Sequence, residues 1–461
     1  MKKLFLFLFP AAFFIFTSCQ KELQPALTDN GGGGSTGNAD STILDSTLLI
    51  ARDIYLWYNQ IPDTFNARAY TDPAAIMTAI RQYSMEPGFT TPVDRYSFAI
   101  KQTDWNNLSN GVQQDFGMSV FFNDVTDLRV KYVEPEGPAG VNGIQRGWRI
   151  TAINGNTNID TSSSSINFII NAVFNSASTS FSFQKPDGST VNLTLNAGTY
   201  QTQPVLADSV YYLSNSTVGY MVLNSFLGDT TQIYSDFSRI FNEFVQDNVS
   251  DVIIDLRYNG GGYVSVSQTL ANYLVPDAGN GQTMFTQTFN DKNSNYNQTT
   301  NFQKTGSLDL SRIFFIASDN TASASELLIN NLKPFLDEKL AGPAYHTYGK
   351  PVGFFPVPVG DWYAFPISFK TVNHDGNGEY FNGLTIDDPT RDGVDKNWGD
   401  TAENCLHSVL TFIQTGVFGR IPAPPILGNE SMINNQFIIN SNNKLDKKSF
   451  KGEVDTRKIK H

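Results

Sequence analysis

Cysteine and histidine are scarce in this sequence. Only two cysteines and four histidines occur among 461 residues. No Cys-x-x-Cys pair is present, and the histidines never fall in a metal-ligand spacing such as His-Glu-x-x-His. Since structural and catalytic zinc sites are built from such spacings, we expect no metal site in this protein.

Basic charge is also in short supply. The chain has 32 lysines and arginines against 44 aspartates and glutamates, a formal net charge of -12. Nucleic acids and anionic membrane surfaces are bound through clustered basic residues, so neither is expected as the main partner. The length itself suggests two to four folded units, because domains usually span about 100 to 200 residues.

Long hydrophobic runs are confined to the N-terminus, and even there the run is short. In residues 1–18, two lysines precede an aromatic and aliphatic stretch that Pro10 interrupts. This pattern predicts a signal peptide and not a membrane span. It ends at Cys19 in a pattern that resembles the bacterial lipobox, although Phe16 stands where that pattern prefers leucine.

The lipobox resemblance implies that Cys19 carries a lipid. It predicts a lipoprotein anchored to a membrane on its extracytoplasmic side, in the periplasm or at the outer membrane. The other cysteine, Cys405, would then have no disulfide partner, and stability would come from packing. A simple secreted protein with an incidental cysteine at this position is the alternative.

The composition changes several times along the chain and predicts a multidomain α/β (α+β) protein. The tether holds four consecutive glycines among polar residues, and such a composition does not bury enough apolar area to order itself. The predicted segments are a signal peptide (1–18), a flexible tether after Cys19 (19–42), an N-terminal helical region (43–110), a β-rich module (111–200), an α/β core (201–421) and a polar tail (422–461).

Local patterns predict individual elements. From Asp45 onward, apolar residues recur every three or four positions as far as Ile61, which predicts one amphipathic helix. Asp72 and Pro73 form the N-cap and first position of a second helix. In the core, continuous apolar strands alternate with helical patterns, which predicts a buried sheet covered by helices. Residues 276–310, rich in Asn, Gln, Thr and Ser, look like an exposed insertion.

The β-rich module contains Gly-rich turns between short alternating strands. Its segments GMSVFF (117–122) and GPAGVNGIQRGWRITAINGN (137–156) resemble PDZ domains, with Trp148 in place of the usual aspartate. In that family a Gly-rich loop and the following strand bind the C-terminal tail of a peptide. The resemblance implies a peptide-binding domain whose substrate-binding residues are Gly117, Met118, Ser119 and Val120. A β-rich spacer without a peptide groove is the alternative.

Two core strands run into turns that suit catalysis. DVIID is followed by three glycines (260–262), and RIFFIAS is followed by the serine-rich stretch NTASASE (320–326). Backbone N–H groups in two such turns could converge as an oxyanion hole. Ser323 with Glu326 three residues later also matches a helix capping box, and the two roles are compatible.

Three motifs in order, after the PDZ-like module, resemble the S41 peptidases, the C-terminal processing or tail-specific proteases. They are DLRYNGGG (255–262), TASASE (321–326) and TYGK (347–350). The resemblance implies a crotonase-like core and a serine peptidase without metal or cofactor, acting on proteins or peptides with exposed C-termini. Carried over by position, the nucleophile is Ser323, the general base is Lys350, and the oxyanion donors are the N–H groups of Ala324 and of Gly261 or Gly262.

The surroundings of Lys350 suit a base independently of the family. A lysine acts as a base only when neutral, which requires a pKa about 3 units below its usual value of about 10.4. No acidic residue lies within eight positions before Lys350 or ten after it, whereas Lys333 and Lys339 lie near an acidic pair and are rejected. Phe354 stands where many family members carry a glutamine that orients the lysine.

Alternatives remain at several points. Ser325 is the second choice for the nucleophile. A Ser-His-Asp triad could use His346, which lies four residues before Lys350. A non-catalytic peptide- or ligand-binding lipoprotein of the same fold is the alternative function. The acidic stretch 387–400 lacks the spacing of a calcium-binding loop and is interpreted as a solvated loop.

Overall fold

The computed structural model describes residues 40–419, 438–446 and 450–457. The predicted signal peptide, Cys19 and nearly all of the tether lie outside these ranges. Within these ranges, no helix combines the length and the apolarity that crossing a membrane would require.

Helices occur in every region of the fold. The α-helices are α1 (Ser41–Ile54), α2 (Pro73–Ile80), α3 (Gln102–Ser109), α4 (Pro138–Val141), α5 (Ser163–Phe174), α6 (Thr230–Gln246), α7 (Val264–Leu274), α8 (Ala324–Leu332) and α9 (Asn404–Thr415). Short 3-10 helices lie at Tyr58–Gln60, Ala67–Ala69, Arg81–Tyr83, Asp277–Gly279 and Asp291–Tyr296.

The strands form sheets in each part of the molecule. They are β1 (Phe98–Lys101), β2 (Val112–Asp115), β3 (Met118–Asp124), β4 (Asp127–Val133), β5 (Arg149–Ile153), β6 (Ser178–Gln184), β7 (Thr190–Asn196), β8 (Gly198–Gln201), β9 (Val205–Tyr212), β10 (Thr217–Leu223), β11 (Asp251–Asp255), β12 (Gly261–Tyr263), β13 (Thr283–Phe289), β14 (Gln298–Asn301), β15 (Arg312–Ile316), β16 (Asp337–Gly342), β17 (Val352–Phe354), β18 (Val357–Val359), β19 (Trp362–Phe365), β20 (Ile367–Asn373), β21 (Asp388–Pro389) and β22 (Gly452–Val454).

The core is built on a six-stranded sheet in the order β21-β16-β15-β11-β10-β9. All neighbouring strands are parallel except β9, which runs antiparallel to β10. Both faces are covered, since α6, α7 and α8 pack on one side and α9 packs on the other. Such a sheet needs strands that are apolar on both faces, and β11 and β15 have that composition. The predicted mixed α/β multidomain class is confirmed.

Helix α6 shows how the apolar spacing becomes packing. Its five apolar residues at spacings of three and four are all buried against the sheet: Ile233, Phe237, Ile240, Phe241 and Phe244. Asp229 caps its N-terminus by accepting from Thr231 N and Gln232 N. The second predicted helix is also confirmed, because α2 begins at Pro73 with Asp72 accepting from Ala75 N.

A second six-stranded sheet, in the order β12-β22-β17-β20-β13-β14, lies beside the first. The prediction of an exposed insertion over residues 276–310 is wrong, because β13 pairs with β20 inside this sheet and buries Met284, Phe285 and Phe289. These few apolar residues stand among many polar ones, so composition did not show that the segment is structural.

The N-terminal region departs from the predicted pattern in two places. Helix α1 ends at Ile54, yet Trp57 and Ile61 are still buried, so the apolar spacing continues beyond the helix into a short 3-10 turn. Strand β1 pairs with β19 of the core, which joins the N-terminal region to the core through one sheet.

The β-rich module carries a five-stranded antiparallel sheet in the order β3-β4-β5-β6-β7, so β3 is an edge strand. Helix α5 packs against it through Ile166, Ile169 and Val173. This helix was not predicted, since its first turn consists of serines, although Ser162 caps it by accepting from Ser165 N.

The end of the chain packs at two places. Strand β22 pairs in parallel with β12 and with β17 and so completes the second sheet. Residues 438–446 lie against the β-rich module, where Leu445 belongs to the module's apolar core. The predicted polar tail (422–461) did not anticipate these contacts, because the contacting residues are few and scattered among polar ones.

Candidate active site

The candidate site lies at the ends of two adjacent parallel strands. Strands β11 and β15 pair in register, with Val252 beside Ile313, so their carboxyl ends meet at one edge of the sheet. The loops that follow are bonded to each other, since Ala322 N donates to Asn259 O at 3.1 Å. This pairing brings the glycine triplet beside the serine-rich turn.

Ser323 occupies the sharp turn between β15 and α8. Its backbone has φ 62° and ψ -111°, a conformation that residues other than glycine rarely adopt and that costs about 1 to 3 kcal/mol. The side chain is fully buried, and its Oγ has no hydrogen-bond partner. A strained strand-to-helix turn that presents a hydroxyl is the geometry of a nucleophile elbow.

The helix-cap interpretation of this turn describes only part of the geometry. Ser323 N donates to Glu326 Oε2 at 2.8 Å, which is one half of the predicted capping box. Its hydroxyl, left without a partner, is available for chemistry. Ser325, the second choice for the nucleophile, donates its hydroxyl to Asn259 O at 3.0 Å and thereby braces the glycine turn.

Lys350 lies in a closed apolar site. Its side chain is fully buried, and this burial lowers the pKa of the amine to about 7. Nζ lies 3.8 Å from the centre of the Phe354 ring and 5.3 Å from that of Tyr96. It donates one hydrogen bond, to Lys451 O at 3.2 Å. Phe354, which stands at the position where a glutamine was expected, therefore places its ring face against the amine.

A buried carboxylate on β22 accompanies the lysine. Glu453 is fully buried, and neither carboxyl oxygen has a hydrogen-bond partner. Burial raises the pKa of Glu453 to about 8, while its attraction to Lys350 opposes the shift of each group. Near pH 7 the Lys350 amine is therefore about half neutral, because burial favours the neutral amine and Glu453 favours the charged one.

Glu326 links the serine turn to the lysine loop. Its Oε2 accepts from Ser323 N and from Lys350 N, both at 2.8 Å, and its Oε1 accepts from Gly349 N at 2.7 Å and from the Thr347 hydroxyl. The carboxylate is fully buried at the start of α8. One side chain thus joins the backbone of the Ser323 turn to the backbone of the Lys350 loop.

The predicted oxyanion donors lie together. Ala324 N belongs to the first turn of α8, whose N–H groups have no acceptor within the helix. Gly261 lies against it, since a Cβ on this glycine would come within 3.0 Å of Ala324 N. However, Gly261 N donates to Asn259 Oδ1 at 2.9 Å. Gly262 has φ 145° and contacts the backbone of Phe226 so closely that no side chain fits.

The predicted substrate-binding loop of the β-rich module faces the same region. Gly117, Met118 and Ser119 line a cavity of about 210 Å³ whose other walls include Gly260 of the glycine turn and Asn320 of the serine turn. Gly117 adopts φ 67° and packs against Gly137 without room for a Cβ. Val120 is buried in the module's core and does not line this cavity.

A buried cluster of charges fixes the module to the core. Arg257 pairs with Asp255 at 2.7 Å, with Glu403 at 2.7 Å and with Asp392 at 3.0 Å. Arg146 of the β-rich module pairs with the same Asp392 at 2.8 Å. Removing one partner from such a buried set leaves uncompensated charge, which typically costs several kcal/mol.

The charge cluster corrects the interpretation of residues 387–400 as a solvated loop. Asp388 and Asp392 are buried, and the two neighbouring arginines lower the pKa of Asp392 to about 2. In the part of the chain that the structure describes, no group of three or more His, Cys, Asp or Glu side chains could hold a metal ion.

The proposed Ser-His-Asp arrangement finds no support in the geometry. His346 is exposed, and its backbone bridges to Thr385, whereas Ser323 Oγ is buried and without a partner. Sequence reasoning also missed functional neighbours. Glu326 was recognised only as a capping residue, and nothing near Glu453 or Lys451 in the sequence points to Lys350.

Two family models match parts of this chain. Residues 217–387 match the family model of Peptidase family S41, and residues 50–98 match that of the Peptidase S41 N-terminal domain. No curated protein matched the chain. A crystal structure from Bacteroides fragilis, described as a candidate S41 protease, is 22% identical with a TM-score of 0.64, covering 80% of this chain and 97% of its own. This similarity shows a shared fold.

Two further solved structures align over similar lengths with lower scores. The photosystem II D1 C-terminal processing protease is 18% identical, with a TM-score of 0.46, covering 76% of this chain and 94% of its own. Mature CPAF is 10% identical, with a TM-score of 0.44, covering 82% of this chain and 99% of its own.

Proposed function

We propose that this chain, which carries a peptidase family S41 domain at residues 217–387, is a serine endopeptidase with Ser323 as nucleophile and Lys350 as general base. The observation that carries the proposal is the buried Lys350 amine, whose pKa is lowered to about 7, linked through Glu326 to the turn that holds an unpartnered serine hydroxyl. Neutral lysine and free hydroxyl are the two groups that a Ser/Lys mechanism requires.

The reaction proceeds in two halves. Ser323 Oγ attacks the scissile carbonyl carbon while its proton passes to Lys350 Nζ, and the oxygen that becomes negative is stabilised by Ala324 N–H and a second N–H of the glycine turn. The peptide C–N bond then breaks, and the lysine returns the proton to the leaving amine. Water attacks the resulting ester, again with Lys350 as base, and releases the acid and Ser323.

In this structure Lys350 Nζ must still move before it can accept the Ser323 proton. Lys350 Nζ donates to Lys451 O, and Ser323 Oγ has no partner, so the two groups are not hydrogen-bonded to each other here. Catalytic hydrogen bonds are often long or absent without substrate and tighten when it binds. Rotation of the flexible lysine side chain away from the Lys451 carbonyl is the required step.

Substrate recognition is assigned to the β-rich module, which we take to act as a PDZ-like domain for C-terminal tails. This assignment is supported by the cavity that Gly117, Met118 and Ser119 line together with Asn320 and Gly260. A tail bound there would lead the preceding chain toward the serine turn. With a lipid on Cys19, the enzyme would be anchored in an extracytoplasmic compartment.

The decisive experiment is cleavage of an unfolded protein by residues 40–461 at pH 8, where Lys350 is mostly neutral. Two substrates that differ only in the last three residues, apolar or acidic, test catalysis and tail recognition together. Fragments from the apolar-tailed substrate, formed at least about tenfold faster than from the other, are expected. Cleavage of neither substrate would favour the non-catalytic ligand-binding alternative, for which Phe354 and the missing Ser323–Lys350 hydrogen bond are the supporting observations.

The rate of cleavage should depend on pH through Lys350. Its amine is active when neutral, so kcat/KM rises with pH, with a midpoint near the pKa of about 7, and levels off above it. Below the midpoint the rate falls about tenfold per pH unit, since each unit removes about nine tenths of the neutral base. Initial rates between pH 5.5 and 9 measure this, and a midpoint above pH 9 would contradict a buried base.

A further inference from the structure

Residues 438–446 of this chain, of which 438–445 are helical, lie against strand β3, and we call them the cis segment. Asn442 Nδ2 donates to Phe122 O at 3.0 Å, and Asn442 Oδ1 accepts from Phe122 N at 2.7 Å. Phe122 lies on β3, the edge strand of the module's sheet. One side-chain amide thus satisfies a backbone donor and acceptor that an added strand would otherwise pair.

The cis segment is also anchored by apolar and charged contacts. Leu445 is 3% exposed and belongs to the module's core with Met118 and Val120. Asp446 forms an ion pair with Lys131 on β4. Ser441 donates to Thr161 O at 3.5 Å, just before helix α5 begins. The cis segment therefore lies between the edge strand and the helix of the module.

The direction of the cis segment is opposite to that of β3. Asn442 contacts Phe122 near the end of β3, whereas Asp446 pairs with Lys131, which lies across from Ser119 and Val120 near its start. An added antiparallel strand would run the same way and would place its last residues at the Gly117 loop. Leu445 and Asp446 line the same cavity as Gly117, Met118 and Ser119.

The cis segment contacts the serine turn and precedes the strand that lies beside Lys350. Asp446 Oδ2 accepts from Asn320 Nδ2 at 3.2 Å, three residues before Ser323. Six residues beyond Asp446 the chain forms strand β22 (Gly452–Val454), which carries Glu453. Lys451, whose carbonyl accepts from Lys350 Nζ, directly precedes this strand. Displacement of the cis segment would therefore act on the backbone that contacts the base.

We propose that residues 438–446 are an intramolecular ligand of the β3 groove, which a substrate tail must displace before efficient cleavage. The inference rests on the proposed peptide-binding role of the module. The cis segment and a substrate tail cannot both pair with Phe122, because Phe122 N has one proton and donates it to Asn442 Oδ1. A tethered segment faces its site at an effective concentration on the order of millimolar, so it competes strongly even when its intrinsic affinity is modest.

Two neighbouring asparagines offer a matched test. Asn442 is buried on Phe122, whereas Asn443 is exposed. Binding is measured in protein that also carries Ser323→Ala, so that the result does not depend on catalysis. The probe is a fluorescent peptide with the sequence of residues 438–446, followed by anisotropy. Asn442→Ala is expected to bind it at least about tenfold more tightly than the parent, and Asn443→Ala to bind as the parent does.

Leu445→Ala removes the apolar contact that holds the cis segment against the module. It is expected to increase the affinity for the peptide as much as Asn442→Ala does. Equal binding by the parent and both groove variants, or by none, overturns the inference. Thermal unfolding of each variant establishes that it is folded before it is scored.

Cleavage by proteins that retain Ser323 tests whether the cis segment slows the reaction. Asn442→Ala and Leu445→Ala are expected to cut the apolar-tailed substrate at least about threefold faster than the parent, and Asn443→Ala at the parent rate. Equal rates in an active enzyme overturn the regulation. If binding rises but no protein cuts, the peptidase proposal fails and the intramolecular ligand stands.

Discussion

We expect Lys350→Met to abolish peptide cleavage while the protein stays folded. Methionine has nearly the shape of lysine without its terminal amine, so the apolar site around Phe354 and Tyr96 accepts it. Loss of the base removes the proton acceptor for Ser323, and groups that act as such a unit lose about 10⁴- to 10⁶-fold in kcat when either is removed. Initial rates at pH 8 measure the loss.

The same unit predicts a specific pattern of non-additivity. Ser323→Ala, Lys350→Met and the double variant should share one residual rate, because each change already disables the whole dyad. Lys333→Met is the matched control, since its side chain is 59% exposed and lies outside the site. If Lys350→Met kept more than about a tenth of the parent rate, another group would have to be the base.

Stability should respond differently from activity in the lysine variant. A volume-conserving replacement in a buried site usually costs less than about 1.5 kcal/mol, and here it also removes an amine that is costly to keep buried. The free energy of unfolding in urea is therefore expected to stay within about 1.5 kcal/mol of the parent. This separates loss of chemistry from loss of fold.

Glu326→Ala has the largest expected effect on stability and also removes activity. The change leaves three buried backbone donors without an acceptor, on Ser323, Gly349 and Lys350. Each unsatisfied buried group costs about 1 to 3 kcal/mol, so the free energy of unfolding should fall by at least about 3 kcal/mol. Urea denaturation measures this, and cleavage by the remaining folded protein should fall because the serine turn and lysine loop are no longer joined.

Two further variants serve as comparisons for Glu326→Ala. Glu326→Gln keeps one acceptor oxygen and replaces the other by an amide NH₂ group, so it leaves fewer buried donors without an acceptor and should lose less stability than the alanine variant. Glu243→Ala on α6 removes an exposed carboxylate and should change stability by no more than about 0.5 kcal/mol. A Glu326→Ala protein as stable and active as the Glu243→Ala control would show that the link between the loops is dispensable.

The regular elements near the site could be predicted because their signals are local. The apolar spacing of α6, the Asp72–Pro73 start of α2 and the continuous apolar composition of β11 and β15 each depend on neighbours a few residues apart. The same local reasoning failed for β13, whose apolar residues are diluted by polar ones, and for α5, whose first turn is serine. In both cases a partner distant in sequence provides the stabilising contact.

The identities of Ser323 and Lys350 as candidates came from motifs and from the absence of nearby acidic residues, which sequence records directly. Their surroundings did not. The glutamine expected four residues after the lysine is replaced by Phe354, and the structure shows support from an aromatic ring and a carbonyl 101 residues away. The residues around Lys350 and those around Lys451 in the sequence do not indicate that the two positions are in contact.

Sequence alone determined the order of the elements, the acidic balance and the three motifs that bring a serine, a lysine and a glycine turn to consecutive parts of the core. The tertiary structure decided how these meet. It buries Lys350, makes Glu326 the link between two loops, and returns the end of the chain to both the base and the β3 groove. The reason is physical: pKa shifts and hydrogen-bond partners depend on what surrounds a group in space, and folding sets those surroundings with residues from every part of the chain.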